Sequence, residues 1–458
     1  MTVLAVVLLI ALLILLIGWG RVPPFAAFIA ISLSAALCFG MPLNNIGGSL
    51  ERGVGDMLGG LTAIICFGAM FGRIIADSGA ARSISIALIS AVGDRFILIA
   101  MALTGLIVGI PLFYSVGFVV LVPLLFSLGP RTKLPAVQLG IPLVCGLSVA
   151  HGFLPPHPAP IALIKVFGAN TGLTLIYGLI VGGIALMIAG PLLALKLKGI
   201  EPQAAGQARG QPPAPAAPAD RSFTDDGRPE ESLPGPFNSC FTALLPVVLI
   251  SASTALPYVQ HGSTRFDATV AFIGQPALVL LISLVYATFS LGVVGGMNLK
   301  ALMQAYGASL KDVSAILLVL AGAGALKQVF VDTGVSGQLG AALQAIPLHP
   351  LILGWLIATA IRIALGSATI AGLTAASIMM PMVVARHVDP NLMVLSIGAG
   401  SLMCSHVNDA GFWLFKEYFN LNLRDTFRSW TLMESLAGVV GLLCVLVLNL
   451  VLPLFGRL

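Results

Sequence analysis

The sequence predicts an all-α polytopic membrane protein made of two inverted-topology repeats, each with about five transmembrane helices, one re-entrant hairpin and one broken helix. Three observations carry that expectation. Hydrophobic residues make up 58% of the 458 positions and charged residues 9%, with a mean hydropathy of +1.03, whereas roughly a quarter of a soluble globule is charged. Apolar runs such as Leu173–Leu195 and Leu436–Leu454 approach or exceed the roughly 20 residues that cross a bilayer as a helix. Finally, landmarks recur at one offset, 255 residues. His151 answers His406, Asp77-Ser-Gly79 answers Asp332-Thr-Gly334, Gly117 answers Gly372 and Gly40 answers Gly295.

The first repeat (1–198) reads as spanning helices at 2–20, 23–41 and 57–76, a hairpin at 96–128, a broken segment at 136–166 and a helix at 173–195. Met1–Ile17 has no basic n-region and no small-residue cleavage site before Trp19, so it reads as a spanning helix and not a secretory signal. The 96–128 stretch is too short for two crossings and a turn. Gly109-Ile-Pro-Leu-Phe-Tyr-Ser-Val-Gly117 at its middle marks a tip that enters and leaves on one side. Residues 199–237 form a hydrophilic Pro/Ala/Gln-rich linker that cannot bury a core. The second repeat (238–458) follows with helices at 241–258, 273–293 and 312–331, a hairpin at 350–385 with its tip at Gly366-Ser-Ala-Thr369, a broken segment at 392–415 and a helix at 431–454.

Five crossings per half is an odd number, so the second copy enters the membrane upside down. With the linker in the cytoplasm, twelve Lys and Arg of the loops fall inside and five outside, as the positive-inside rule requires, and both termini lie in the periplasm. The net charge of +5 is then a topology signal and not a nucleic-acid footprint. The six cysteines form no C-x-x-C pair and read as small buried residues. G-x-x-x-G spacings at Gly68/Gly72, Gly105/Gly109 and Gly178/Gly182 read as helix-packing sites.

The chemistry concentrates where the helices break. Pro155, Pro156, Pro158 and Pro160 deny backbone donors between Ala150 and Ile161, and a broken helix exposes ends that attract ions. His151 and His157 flank this break and His406 sits in the second. Intramembrane histidines serve as packing residues, proton carriers or hydroxyl binders. Asp409, an ionisable group in an apolar segment, and His406 are the candidates for proton coupling; a cap for the following half-helix is the other reading of Asp409. Asn408 offers a donor and an acceptor to hydroxyls. Arg362, one turn before the second tip, requires an anion, either a substrate carboxylate or a protein carboxylate such as Asp409. Tyr114, Ser115, Ser367 and Thr369 add hydroxyls at the two tips. Asp77 and Asp332, each a turn after Arg73 or Lys327, read as structural caps and pairs. No catalytic residue, metal or cofactor is expected.

These motifs resemble the gluconate:proton symporter (gluconate permease) family of the ion transporter superfamily. The stretches that carry the resemblance are Ile75-Ala-Asp-Ser-Gly-Ala80, Gly109–Phe118, His151-Gly-Phe-Leu-Pro-Pro-His-Pro-Ala-Pro160, Arg362-Ile-Ala-Leu-Gly-Ser-Ala-Thr369 and Ser405-His-Val-Asn-Asp-Ala-Gly-Phe-Trp413. The resemblance implies a secondary transporter of the bacterial inner membrane that takes up gluconate or a related sugar acid with protons, and in some branches D-serine or another short hydroxy acid. It also implies binding at hairpin tips and an elevator-like motion. The family tip reads Phe-Phe-[Glu/Asp]-Val-Gly, but this chain has Ser115 there. That departure takes the tip carboxylate out of any coupling scheme. A membrane-embedded metal-dependent hydrolase using His151, His157, His406 and Asp409 is the alternative of another class; neither half carries H-E-x-x-H or a Cys/His ligand set. The expected partners are the sugar acid, protons and the bilayer, with no nucleic acid; oligomeric state stays open, a homodimer included.

Overall fold

Among the described candidate spans, the first broken segment is the most deeply enclosed. In the computed structural model, 94% of the most apolar window in Ala136–Phe167 is buried, against 33% for Pro236–Leu256 on the perimeter. The structure describes residues 2–200 and 232–455 except 115, 119, 123–124, 126–131, 133, 260–263, 336–337, 339–345 and 408. Most of the predicted linker and the candidates Ser115 and Asn408 therefore lie outside the described residues.

The described elements are all helical. The first half runs α1 (Thr2–Gly18), α2 (Pro24–Cys38), α3 (Leu43–Asp77), α4 (Ala80–Val92), α5 (Ile97–Gly109), α6 (Ala136–Phe153), α7 (Pro158–Phe167) and α8 (Thr171–Met187). The second runs α9 (Pro236–Val259), α10 (Thr264–Ile273), α11 (Pro276–Ala287), α12 (Leu299–Asp332), α13 (Pro350–Leu365), α14 (Ala368–Ala385), α15 (Pro390–Leu402), α16 (Ala410–Tyr418), α17 (Leu423–Thr426) and α18 (Leu432–Val451). A π-helical turn extends α8, another extends α11 and a third joins α17 to α18. Eight described helices are long and apolar enough to cross a membrane, and shorter apolar helices such as α2, α5 and α13 accompany them. Leu4, Val7 and Leu8 on α1 and Val447 and Leu450 on α18 are exposed. A bilayer accepts such a surface where water does not.

Helix bounds in the two halves follow the spacing of His151 and His406. Asp77 ends α3 and Asp332 ends α12, and α13, α15 and α16 stand to α5, α6 and α7 at nearly the same displacement. α3 and α12 lie side by side and antiparallel, since Gly53 meets Gly324 and Gln328 while Met57 meets Gly324. A methyl on Gly53 would sit 2.5 Å from the Gly324 carbonyl oxygen, so only glycine permits this approach. Without a hydrophobic drive between helices in lipid, such small-residue contacts supply the packing. Gly105 of the expected packing motifs does the same against α6, where a methyl would lie 2.0 Å from the Leu143 carbonyl oxygen.

The structure corrects several sequence expectations. α3 and α12 begin at Leu43 and Leu299, about a dozen residues before the predicted 57 and 312. Their first turns carry Asn, Glu, Arg and Lys, which hide them from an apolar-run criterion although nothing in them stops a helix. The helix α4 was not predicted at all. The first break is confined to 154–157, narrower than expected, because Pro158 and Pro160 sit in the first turn of α7, where a missing N–H is tolerated. Cys145 alone among the cysteines is buried and Cys38 is exposed; none forms a disulfide. Arg73 pairs with Asp77 at 2.7 Å as expected. Asp332 pairs instead with Arg52 of α3 at 2.9 Å and accepts from Gln328 at 2.8 Å.

Candidate functional site

A cavity of about 450 Å³ lies where the two tips, the carboxyl end of α6 and the second break meet, within the roughly 300–1,000 Å³ typical of small-molecule sites. Its wall includes Phe113 and Tyr114 from the first tip, His151 from the end of α6 and Gly366–Thr369 from the second tip. Asp409–Gly411 from the second break complete the meeting point.

Arg362 occupies the last turn of α13 and is 4% exposed. Its Nη1 donates to the Gly366 carbonyl oxygen and its Nη2 to the Asp409 carboxylate. Gly366 closes α13 with φ +73°, a left-handed conformation that glycine adopts without strain, and this turn brings its carbonyl back to the guanidinium. Ser367 then caps α14 by accepting from the Ile370 N–H at 3.4 Å. The amino end of α14, at Ala368 and Thr369, faces the cavity, and its unpaired N–H groups favour an anion there.

Asp409 caps α16, accepting from the Gly411 N–H at 3.0 Å, from the Ser405 hydroxyl and from Arg362. Both readings offered for Asp409 and Arg362 from sequence are therefore present together: the aspartate is a helix cap and also the protein anion for the guanidinium. Ser405 is fixed from behind by the Trp430 indole, whose Nε1–H donates to it at 2.7 Å.

Three polar atoms on this wall are buried without a hydrogen-bond partner: the Tyr114 hydroxyl, His151 Nδ1 and Arg362 Nε. Buried polar groups are paired in the great majority of cases, and these three exceptions among the described residues belong to side chains of one cavity wall.

Two expected residues are elsewhere. His157 is buried beside His151, with ring centroids 5.3 Å apart, but it donates from Nε2 to the Gly109 carbonyl oxygen at 2.6 Å and lines a smaller apolar crevice with Ile64, Gly68 and Pro111. His406 does not line the cavity; its Nε2 donates to the Ile363 carbonyl oxygen at 3.0 Å. His406 sits in an unwound stretch, 403–407, and not at a helix end like His151.

Sequence reasoning missed Glu434, Ser148 and Trp430, all of which line the cavity. Glu434 had a legible signal, since it is the one acidic residue in Leu432–Val451 and an ionisable group in an apolar span is a functional candidate by default. Nothing in the sequence separates Ser148 from the chain's other helix-borne serines.

Residues 1–451 match the family model described as GntP family permease. This chain belongs to the GntP permease family. The permease is 40% identical over 441 residues to the Gnt-II system L-idonate transporter of Escherichia coli (strain K12), covering 96% of this chain and 97% of the relative. It is 38% identical over 442 residues to a high-affinity gluconate transporter of the same organism, covering 96% and 98%. The gluconate permease of Bacillus subtilis (strain 168) is 38% identical over 457 residues, covering 97% and 98%. Among solved structures, the YdaH transporter of Alcanivorax borkumensis matches with a TM-score of 0.65 at 17% identity, covering 95% of this chain and 99% of that one. MtrF of Neisseria gonorrhoeae matches with a TM-score of 0.65 at 13% identity, covering 92% and 93%. At those identities the shared property is the fold. The protein is a multi-pass membrane permease and not an enzyme.

Proposed function

We propose that the permease carries gluconate or a related sugar acid, together with protons, across a bacterial inner membrane. The observation that carries this reading is the cavity itself: on one wall stand a guanidinium, a helix amino end, and the side chains of Tyr114 and His151, and the Tyr114, His151 and Arg362 side chains each carry a buried polar atom with no partner among the described residues. A carboxylate bearing several hydroxyls matches that set. Its carboxylate takes Arg362 Nε and Nη2 as a fork, while Tyr114, His151, Ser367 and Thr369 meet hydroxyls, with Ser115 and Asn408 as further hydroxyl partners at the tip and the break. The names of the relatives, transporters of gluconate and L-idonate, support the same substrate class.

Coupling follows from competition. Asp409 holds Arg362 in the structure. A substrate carboxylate that takes the guanidinium leaves Asp409 without its cation, and a buried, unpaired carboxylate is costly, so Asp409 binds a proton as substrate binds. His406, one turn of chain away, then has no direct contact with the bound anion. Two inverted repeats, 1–198 and 238–458, joined by a cytoplasmic linker at 199–237, provide ten crossings with both termini periplasmic and let the cavity face each side in turn.

The test is uptake of labelled gluconate into proteoliposomes with and without an inward proton gradient, with competition by sugar acids, D-serine and short hydroxy acids. Gradient-driven gluconate accumulation supports the proposal. Preference for D-serine or a short hydroxy acid replaces the substrate, and gradient-independent equilibration removes the coupling.

A further inference from the structure

The cavity holds a second acid that the coupling scheme does not use. Glu434, on α18, is 3% exposed, and the Ser148 hydroxyl of α6 donates to one of its carboxyl oxygens. Its other oxygen has no protein hydrogen bond and is not sealed off, so it is left to the cavity. Unlike Asp409, Glu434 forms no ion pair among the described residues. One turn away on the same side stands Trp430, also on the cavity wall, with its indole N–H committed to Ser405. What Trp430 offers a ligand is therefore an apolar surface.

We infer that Glu434, held by Ser148, is a specificity-determining residue that accepts a hydrogen bond from a hydroxyl of the sugar acid's carbon chain. This rests on the sugar-acid reading above. The chemistry is constrained from two sides. Arg362 is the one cation on the cavity wall among the described residues, so it takes the substrate's carboxylate; Glu434, an acid, is the wrong partner for that group and the right one for a hydroxyl. In either protonation state a carboxyl keeps an acceptor oxygen for an O–H donor. Ser148 spends its proton on Glu434 and thereby fixes which oxygen points at the ligand. A site built to bond a hydroxyl also rejects an analogue that lacks it, because its buried acceptor is then left unpaired.

The experiment is a cycle between protein and substrate. The full-length permease, Glu434→Ala and the isosteric Glu434→Gln are reconstituted, and exchange of labelled gluconate is inhibited by gluconate and by its five monodeoxy analogues. In the unmodified protein at least one deoxy analogue should bind about tenfold more weakly, the size of one hydrogen bond. Glu434→Ala should weaken gluconate by a similar factor and erase the penalty for that one analogue, leaving the others in place, which is the coupling signature of a direct contact. Glu434→Gln keeps an acceptor carbonyl and should retain most of the penalty. A structural role would weaken all six ligands alike and overturn the inference, as would deoxy penalties unchanged by Glu434→Ala. Loss of gradient-driven accumulation in Glu434→Gln with every penalty intact overturns it too, by assigning Glu434 to the proton. If the unmodified protein does not exchange gluconate at all, the sugar-acid reading itself falls.

Discussion

Arg362 and Asp409, 47 residues apart in the chain, join the second hairpin tip to the second helix break through a partly buried ion pair. Each partner is held by other groups as well: the arginine by the Gly366 carbonyl, the aspartate by Ser405 and the Gly411 N–H. The pair is thus a latch between two elements whose irregular backbone has no reason to be at this depth unless it lines a site. On the proposed function a substrate carboxylate is the key, competing with Asp409 for the same guanidinium.

Replacing Arg362 by lysine keeps the charge but gives up the planar fork that holds the Gly366 carbonyl with one N–H and presents others to a carboxylate. Half-saturation for gluconate exchange should rise by about tenfold or more. Unchanged half-saturation and rate in Arg362→Lys would remove the arginine from the substrate site.

The Tyr114 hydroxyl has no hydrogen-bond partner among the described residues, so Tyr114→Phe removes no contact that the fold uses. Its melting temperature in detergent should match the unmodified protein. Gluconate should bind more weakly, by about 1 kcal/mol or fivefold, the worth of an ordinary hydrogen bond. A lower melting temperature with unchanged gluconate affinity would give this hydroxyl a structural task instead.

Much of this site was legible because membrane chemistry makes polar residues conspicuous. Arg362, Asp409, His151, Tyr114, Ser367 and Thr369 were all singled out from their positions in interrupted apolar runs, and the structure brings them to one cavity. The same rule pointed equally at His157 and His406, which instead satisfy backbone carbonyls; a sequence shows that a polar group is in the membrane but not which way it faces. Glu434 projects from an unbroken helix, α18, away from the interrupted runs. The long helices α3 and α12 were shortened for the converse reason, as their polar first turns look like loops to a hydropathy criterion yet continue the same helix. Which glycines carry the packing was also out of reach, because Gly53 and Gly324 meet across the two halves.

Close helix approach in lipid depends on those contacts. Gly105→Ala puts a methyl against the Leu143 carbonyl, with Gly146 also crowded. Overpacking of this kind costs about 1–3 kcal/mol. The variant should melt several degrees lower in detergent, while gluconate affinity in the fraction that remains folded stays unchanged. A melting temperature equal to the unmodified protein would mean that α5 and α6 separate freely.

The latch and the proton are tested together by Asp409→Asn. Asparagine keeps the oxygen that accepts from the Gly411 N–H, so the α16 cap survives, but its amide nitrogen replaces the oxygen that accepts from the Ser405 hydroxyl and Arg362, and it no longer competes as an anion for the guanidinium. Two opposite effects are expected from one substitution. Exchange of pre-loaded gluconate should persist with a lower half-saturation, because the substrate's carboxylate meets a free guanidinium. Accumulation against a gradient should vanish, because the group that gained a proton with each substrate no longer titrates. For one proton per substrate, the unmodified protein should reach about a tenfold concentration ratio per pH unit, each unit being worth about 1.4 kcal/mol, and Asp409→Asn should settle near equality. Accumulation at the unmodified level would place the proton on another group. A raised half-saturation would show instead that Asp409 assists the substrate and does not compete with it.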